Sequence, residues 1–443
     1  MKPSTLTKPE TWNAPSTEPY AQRAYKRSRR AYSAECMFEY FVSILVTDAF
    51  LTSLLEHIGI SDSTIGIISS IISLAFLFQL LSLYAVRRIV NTKRAAILFH
   101  FTSQLFFMSL YLVPFLPLPT KYKTVIVVGC LLLAYFGNYL VTVIIYKWGM
   151  SYVDPTRRAR FSATKEMVSL LSGMVFTLVM GYGVDKFAAA GNVKGGFIFV
   201  AAAILASSLL DLTCLITMKN RALTASNTPS EPVLRVVRHL LRNKSFIYII
   251  VITVLWNIAT YFTIGFMGIY KTKDLALTVG TIQVINTAGC LARFAVSRPF
   301  GKYSDKHSYA SGLCLGFTVA AVAFGLNVFT TPDTWWMVVI FTVLYQTCMA
   351  GVFQNLTAIC FDFVEDRYFV QATAIRSAIG GIFGFLASLA GGRIVALVQA
   401  NGNRLLGFEM RAQQLLSLMS ALTLVGLILF VKLVFSKQKK LTE

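Results

Sequence analysis

Charged residues are scarce in this chain, and those present are unevenly divided by sign. Asp, Glu, Lys and Arg make up 14% of the 443 residues, whereas hydrophobic residues make up 56%. A soluble domain has about a quarter charged and about half apolar residues, so this composition excludes an ordinary soluble domain. The 41 basic side chains outnumber the 20 acidic ones, which gives a formal net charge of +21.

Several sequence motifs of enzymes are also missing. The chain has no G-x-x-x-x-G-K-[ST] phosphate loop, no H-E-x-x-H pair and no nucleophile elbow. Its seven cysteines form no C-x-x-C pair and lie in or beside apolar stretches. We therefore expect no enzymatic activity, no cofactor and no metal site.

The chain does contain twelve apolar stretches, each of about 20 residues. A helix of about that length crosses the hydrocarbon core of a bilayer, and only helices and closed barrels satisfy their backbone groups in lipid. We predict an all-α integral membrane protein with twelve transmembrane helices. The predicted spans are 36–56, 64–86, 95–117, 123–149, 164–186, 195–218, 246–270, 276–299, 309–330, 335–360, 370–396 and 412–434.

The positions of the basic residues predict the orientation. When both termini are placed in the cytoplasm, most of the 41 Lys and Arg residues fall in cytoplasmic loops, as the positive-inside rule requires. The positive net charge thus reflects the orientation of the chain in the membrane, and we expect no nucleic-acid partner. We expect a multi-pass protein of the plasma (inner) membrane, in contact with the lipid bilayer and monomeric.

A basic segment near the middle divides the spans six and six. Within it, EPVLRVVRHLLR places apolar residues on one helix face and arginines on another, which is typical of an amphipathic helix that tethers two halves at the membrane surface. The predicted organisation is a flexible cytoplasmic tail (1–34), a six-helix bundle (35–218), a cytoplasmic central loop (219–245), a second six-helix bundle (246–434) and a cytoplasmic tail (435–443).

The two halves resemble each other. VDPTRRARFSATKEMVSLLSG (153–173) precedes the fifth span much as VEDRYFVQATAIRSAIGG (364–381) precedes the eleventh. Both helices end in glycines, Gly181 and Gly183 against Gly391 and Gly392, and small residues let membrane helices approach closely. Many transporters are built from such repeats, with the substrate site between them.

Through this layout and the segment RPFGKYSDKHS (298–308), the chain resembles members of the major facilitator superfamily. Gly301, Asp305 and Lys306 match the family's G-x-x-x-D-[RK] motif after span 8, whereas YAVRRIVNTKR (84–94), after span 2, lacks the glycine and the aspartate. The resemblance implies two pseudo-symmetric six-helix bundles and a cytoplasmic gate that rests on the second copy.

In this gate Gly301 would allow close helix contact. Asp305 would neutralise the N-terminus of span 11 or pair with Arg367 or Arg376. The alternative is a plain turn with a solvated charge.

Polar and aromatic residues lie near the centres of spans 1, 4, 7 and 10, which line the central cavity in that family. Amides beside aromatic rings suit a neutral or zwitterionic, hydroxyl-bearing ligand. The alternative is that each amide bonds only a neighbouring helix. The predicted substrate-binding residues are Asn138, Tyr139, Trp256, Asn257, Tyr261, Tyr345 and Gln346.

Ionisable residues in the spans point to ion coupling. Glu39 and Lys147 lie at similar depths and are predicted to form a charge pair, whereas Asp48 has no basic partner at its depth. Because burial disfavours a charged carboxylate, we predict Asp48, and then Glu39, as the proton-coupling group. Plain interhelical hydrogen bonding and a sodium site stay open as alternatives. Arg293 would bind an anionic group or extend to the interface.

These features favour a secondary active transporter, proton-coupled and working by alternating access, for a small polar organic solute such as a sugar or another nutrient. The alternative is a proton-coupled efflux pump for drugs or amphipathic metabolites, although span 5 lacks the proline of the antiporter pattern G-P-x-x-G-G. A membrane receptor that does not transport is the third hypothesis.

Overall fold

The chain is helical almost throughout the part that the structure describes. A computed structural model describes residues 25–81, 92–153, 158–219, 233–365, 368–405 and 408–435. Within these ranges one short antiparallel ladder interrupts the helices, with β1 (Arg404–Leu405) opposite β2 (Phe408–Glu409). The helices are α1 (Lys26–Leu45), α2 (Asp48–Ile58), α3 (Asp62–Ser69), α4 (Ile71–Ala75), α5 (Thr92–Leu110), α6 (Thr120–Met150), α7 (Arg158–Ala189), α8 (Val193–Thr217), α9 (Val233–Arg242), α10 (Lys244–Ile269), α11 (Val279–Lys306), α12 (Tyr309–Asn327), α13 (Met337–Phe363), α14 (Phe369–Ala400) and α15 (Ala412–Leu433).

The prediction of an all-α membrane protein is confirmed. In the described ranges, 11 helical stretches are long and apolar enough to cross a membrane. The predicted third span coincides with α5, which is not among the 11 because Lys93, Arg94, His100 and Gln104 interrupt its apolar run. The count of twelve spans therefore stays a prediction.

Side-chain caps explain where several of these helices begin. Asn192 accepts from the backbone N–H of Gly195 at the start of α8, and Asn243 accepts from Ser245 and Phe246 at the start of α10. Thr278 and Ser308 cap α11 and α12 in the same way. Such oxygens satisfy backbone donors that the first helical turn leaves free.

The ends of the two predicted bundles differ from the sequence expectation. Helix α1 begins at Lys26, so residues 26–34 are helical, while residues 1–24 of the expected tail lie outside the described residues. The amphipathic helix is present as α9, and its Val236 and Leu240 are buried against Phe246 and Tyr368. This helix therefore packs on the second half of the chain.

The two halves pack together through a limited set of helices. In the first half these are α2, α3, α4 and α7, and in the second half α10, α11 and α14. One buried apolar cluster continues across this interface and joins Leu51, Leu55 and Ile65 to Phe266 and Ile282. All five lie towards the end of the bundle where the chain connects α2 to α3 and α10 to α11. We call this end the closed side, and the opposite end, where α1 begins, the terminal side.

Glycines allow the close approach at the closed side. A Cβ atom added to Gly265 of α10 would lie 2.7 Å from the carbonyl oxygen of Gly66 in α3, and would also collide with the Ser70 hydroxyl. The repeated glycines act similarly, because a Cβ on Gly181 would lie 3.0 Å from Gly280 Cα and one on Gly392 would lie 2.7 Å from the Ile67 side chain. These contacts join the halves, as small residues do between membrane helices.

We predict that Gly265→Ala lowers the thermal unfolding midpoint of the purified protein. Its added methyl group meets backbone, and such overpacking costs about 1–3 kcal/mol. The matched control is Gly325→Ala in α12, where a Cβ meets no atom within 4 Å. This control should be neutral or stabilising by up to about 1 kcal/mol, because alanine favours helix over glycine. Equal midpoints for the two variants would contradict this account of the interface.

Candidate functional site

The first predicted span is broken at its centre. Helix α1 ends at Leu45 and α2 begins at Asp48, whose φ of 46° is left-handed. Thr47 contributes to the break, because its hydroxyl donates to the carbonyls of Ser43 and Ile44 at 3.0 and 3.2 Å. The break puts the Asp48 carboxylate at the N-terminus of α2, where the helix dipole favours a negative charge.

Asp48 is joined to the second half of the chain by two residues. Lys271 Nζ lies 3.1 Å from Oδ2 and 3.3 Å from Oδ1 of Asp48, and Asn286 Nδ2 donates to Oδ2 at 2.8 Å. The side chain of Lys271 is 6% exposed and that of Asp48 is 28% exposed. The expectation that Asp48 lacks a basic partner was therefore wrong.

A π-helical turn explains how Lys271 reaches Asp48. Helix α10 continues as the turn Tyr270–Asp274, which widens the helix by one residue per turn. Span 7 was expected to end at residue 270, with the following lysines at the membrane surface. The turn instead places Lys271 against the broken first span.

Each of the next three residues of this turn also has a polar partner. Thr272 donates to Glu56 Oε1 at 2.5 Å, and Lys273 Nζ lies 2.8 Å from both carboxylate oxygens of Asp62. Asp274 pairs within the second half with Arg411 at 2.6 Å. We name the contacts of Lys271, Thr272 and Lys273 with Asp48, Glu56 and Asp62 the latch.

Further hydrogen bonds extend the latch along the interface. Gln283 Oε1 accepts from Thr177 at 2.9 Å and from Asn286 at 3.2 Å, and Asp185 accepts from the backbone N–H of Gly280 at 2.9 Å. Two more bonds join Gln399 to Asp62 at 2.6 Å and Ser63 to the carbonyl of Gly392 at 2.7 Å.

The polar contacts between the halves are concentrated at one end. Among residues that the structure describes, every hydrogen bond that joins the first half to the second lies on the closed side. Towards the terminal side, Glu166 Oε1 and Arg293 Nη2 form a looser ion pair at 3.9 Å. This conformation is therefore held together on the closed side.

Three of the predicted substrate-binding residues lie near one another between the halves. The hydroxyl of Tyr261 interacts electrostatically with those of Tyr139 in the first half and Tyr345 in the second, and also with Tyr135. Tyr139, Tyr261 and Tyr345 are each half-buried. Arg293 interacts electrostatically with Tyr345, and Glu39 with Tyr139. Hydroxyl groups and both signs of charge are thus grouped near the bundle centre.

The other predicted substrate-binding residues have partners in their own half. Trp256 is buried against Phe317, with ring centroids 5.5 Å apart. Asn257 Nδ2 donates to the carbonyl of Thr253 at 2.8 Å, and Asn138 Oδ1 accepts from Thr142 at 3.1 Å. Gln346 packs close to Gly289 of α11. In this conformation Trp256 belongs to the core of the second half.

The predicted charge pair is not formed. Lys147 is exposed and Glu39 is half-buried, and no ion pair joins these two described residues. The physical reason is that Lys147 extends into solvent from the end of α6. The electrostatic partners of Glu39 lie instead on its own helix and its neighbours, and they include Glu35, His100 and Lys165.

The predicted gating residues are not paired in this conformation. A Cβ on Gly301 would meet no atom within 4 Å, so the close contact expected there is absent. Asp305 and Lys306 are exposed. Arg376 is only 6% exposed and donates to the carbonyl of Leu356 at 2.8 Å, so the proposed pair with Asp305 is not made. Arg367 lies outside the described residues.

Sequence reasoning missed most of the latch. Asp62, Lys271 and Lys273 lie between predicted spans and Asn286 lies within the eighth, and none of the four was singled out as a site residue. The closely spaced charges of KTKD (271–274), directly after an apolar span, were the signal that was available. Their acidic partners lie more than 200 residues earlier in the chain. Asp48 precedes Lys271 by 223 positions, and Asp62 precedes Lys273 by 211 positions.

Comparisons with known proteins agree with this architecture. The family model of the Major Facilitator Superfamily matches residues 257–442. A solved structure of the nucleoside transporter NupG (D323A mutant) superposes with a TM-score of 0.71 at 11% identity, and the match covers 91% of this chain and 99% of that one. A comparison with curated proteins gave no match.

Two further solved structures have the same fold. One is a POT family transporter in complex with 5-aminolevulinic acid, with a TM-score of 0.67 at 12% identity over 94% of this chain and 96% of that one. The other is a bacterial homologue of the human lysosomal transporter Spinster in an inward-facing, unoccupied conformation. Its TM-score is 0.65 at 13% identity, over 95% of this chain and 98% of that one.

We predict that Lys271→Met destabilises the protein much more than Lys273→Met. Removing Lys271 leaves Asp48 partly buried without its counter-charge, at a cost that reaches about 3–5 kcal/mol for fully buried pairs. The side chain of Lys273 is 59% exposed, so water partly screens its charge, and its partner Asp62, which is 10% exposed, keeps the hydrogen bond from Gln399 when Lys273 is removed. The measurement is the thermal unfolding midpoint of each purified variant. Adding Asp48→Asn to Lys271→Met should restore part of the loss, and equal losses for the two lysine variants would refute the special role of Lys271.

Proposed function

We propose that the chain is a secondary active transporter of the major facilitator type, which imports a small polar organic solute by alternating access with the proton as coupling ion. Transport rather than catalysis is the proposed activity. The observation that carries the proposal is the ion pair of Asp48 with Lys271, which joins the two halves at the break in the first span. The sequence expectations of a monomer and of a plasma-membrane location are part of the proposal.

The one-sided closure supports alternating access. The halves are hydrogen-bonded at the closed side and more loosely paired through Glu166 and Arg293 towards the other end. In alternating access, two repeats rock about a central site so that one side opens as the other closes. The positive-inside rule puts the terminal side in the cytoplasm, so we assign the present conformation to the inward-facing state.

The position of Asp48 supports proton coupling. Its carboxylate pairs with the ammonium group of Lys271, whose side chain is 6% exposed, so the loss of either partner leaves an uncompensated charge. A proton on Asp48 would cancel the attraction and favour opening of the closed side. In the proposed cycle Asp48 takes up its proton in the outward-facing state and releases it as the pair with Lys271 re-forms.

The residues near the centre support a small polar solute. Tyr139, Tyr261 and Tyr345 offer hydroxyl groups and aromatic faces, which suit hydrogen bonding and stacking with a sugar-like or nucleoside-like molecule. Glu39 and Arg293 offer charges of opposite sign, which suit a zwitterion. The solutes named for two structural relatives, a nucleoside and 5-aminolevulinic acid, are both small and polar.

Efflux of an organic cation is the second candidate. It is favoured by Glu39, whose negative charge lies within electrostatic range of Tyr139 without an opposing ion pair among the described residues. A cation next to an aromatic ring and a carboxylate is a common arrangement for such ligands. The two candidates differ in the direction of transport and in the charge of the solute.

We predict that Asp48→Asn abolishes proton-driven uptake but retains solute exchange. A panel of sugars, nucleosides, amino acids, small peptides and organic cations is first screened for thermal stabilisation of the purified protein, because a ligand of the folded state raises its apparent stability. The solute identified is then followed in proteoliposomes with and without an inward proton gradient. The wild type should accumulate it against its concentration gradient, whereas Asp48→Asn should only equilibrate it.

Asp333→Asn, at an exposed position between α12 and α13, is the matched control and should behave as the wild type. Accumulation by Asp48→Asn that still follows the proton gradient would exclude Asp48 as the coupling residue. Binding confined to organic cations, with transport out of the vesicle interior, would favour efflux over import.

We predict that Tyr261→Phe weakens binding of a hydroxyl-bearing solute about 5-fold. The substitution removes one hydrogen bond, worth about 1 kcal/mol, and keeps the ring. Tyr122→Phe is the control, since Tyr122 is 59% exposed at the start of α6. The measurement is the dissociation constant of the identified solute by calorimetry. Unchanged affinity in Tyr261→Phe would place the solute away from the central tyrosines.

A further inference from the structure

A cluster of three ionisable side chains is buried inside the first half of the chain, on its terminal side. Glu35 of α1, His100 of α5 and Asp211 of α8 are 1%, 1% and 2% exposed. Each offers a nitrogen or oxygen atom, and these atoms all lie within 4.8 Å of one another. None of the three belongs to the latch or to the central tyrosines. The proposed transport cycle therefore assigns this cluster no role.

The hydrogen bonds in the cluster leave several buried atoms without a partner. His100 Nε2 lies 2.7 Å from Asp211 Oδ2 and 3.4 Å from Gln104 Nε2, so one ring nitrogen faces an acceptor and a donor together. If that nitrogen carries a proton, it can donate to Asp211 but cannot accept from the Gln104 amide group. If it carries a lone pair, it can accept from Gln104 but cannot donate to Asp211. His100 Nδ1, Asp211 Oδ1 and Gln104 Oε1 have no hydrogen-bond partner. Each such buried atom costs about 1–3 kcal/mol.

The charges around the cluster favour a bound cation. Glu35 accepts from Cys36 Sγ at 3.2 Å, and Glu39 adds a third carboxylate that interacts electrostatically with Glu35 and His100. The nearby cation is Lys165 of α7, whose ammonium group contacts Cys36 Sγ at 3.3 Å and interacts electrostatically with Glu35. Three carboxylates thus face one lysine and one histidine, and two of the carboxylates, Glu35 and Asp211, are buried, where uncompensated charge is expensive.

We propose that Glu35, His100 and Asp211 form a binding site for a divalent transition-metal ion, with Zn²⁺ as the best match. One imidazole nitrogen and two carboxylate oxygens are common zinc ligands, at about 2.0–2.2 Å from the ion. Ligands at these distances around a tetrahedral ion are roughly 3.5 Å apart. The three donors therefore need to move little. A hard ion such as Mg²⁺ prefers oxygen ligands alone.

The site would have a structural role. Its ligands come from three helices of the first half, where α8 packs against both α1 and α5. A bound ion would tie the terminal part of the broken first span to two neighbouring helices, so that α1 moves with the first half during transport. No local sequence pattern indicates this site, because its ligands are separated by 65 and 111 positions.

The test is metal binding to the purified full-length protein after treatment with a chelator. Equilibrium dialysis against buffered Zn²⁺, followed by elemental analysis, should give one saturable equivalent in the wild type, and Zn²⁺ should raise the thermal unfolding midpoint. His100→Gln and Asp211→Asn should each weaken this binding more than about 10-fold, since even indirect partners of a metal ligand have effects of that size. The matched control is His307→Gln, which alters an exposed histidine and should bind as the wild type.

A second readout does not depend on the folding of any variant. Co²⁺ added to the chelator-treated wild type should give the strong visible absorption of a four-coordinate site and should be displaced by one equivalent of Zn²⁺. Absence of saturable Zn²⁺ and Co²⁺ binding by the wild type would overturn the proposal. Equal Zn²⁺ affinity in His100→Gln and the wild type would overturn it as well, and would leave the cluster as a charged hydrogen-bond network.

Discussion

The ion pair between Asp48 and Lys271 is the interaction on which the rest of the architecture depends. It lies where the first span breaks, and it joins a carboxylate at a helix N-terminus to a lysine on a π-helical turn. The side chain of Lys271 is 6% exposed, and removal of either partner leaves the other charge uncompensated. The break, the turn and the contact between the halves are therefore linked, since each is needed for these two groups to meet.

In the proposed transport cycle, the latch stabilises one of two conformations. Glycines on both halves let the backbones approach closely, and the polar groups of the latch then find partners that they lack when the halves separate. Packed interfaces of this kind rearrange between discrete states instead of deforming gradually. A proton on one carboxylate is a small change, but it acts where the balance between the two states is set.

Much of the fold was predictable from the sequence, because apolar runs, basic loops and the G-x-x-x-D-K segment are local patterns. Asp48 was also recognisable, since a carboxylate at the centre of an apolar span is costly and rare. Its partner was not recognisable, because a π-helical turn has no clear sequence signature and because contacts such as Asp62 with Lys273 join distant positions.

The errors at the candidate gate have physical reasons. Arg376 was expected to pair with Asp305 but donates to the carbonyl of Leu356, and Gly301 was expected at a close contact that this conformation lacks. The same limit of local patterns applies to the cluster of Glu35, His100 and Asp211, which come together only when three separate helices pack.

The most direct test of the account is the distance between the halves at each side of the bundle, measured by pulsed electron resonance. Spin labels attached to unnatural amino acids suit this chain better than labels attached to cysteine, because it has seven native cysteines. One pair replaces Tyr122 and Trp335 near the closed side, and another replaces Tyr146 and Tyr303 near the terminal side; all four side chains are exposed. Relative to the wild type, the Asp48→Asn, Lys271→Met variant should show a longer, broader distance on the closed side and a shorter one on the terminal side. If both distance distributions match those of the wild type, the ion pair does not hold the closed side together and the account is wrong.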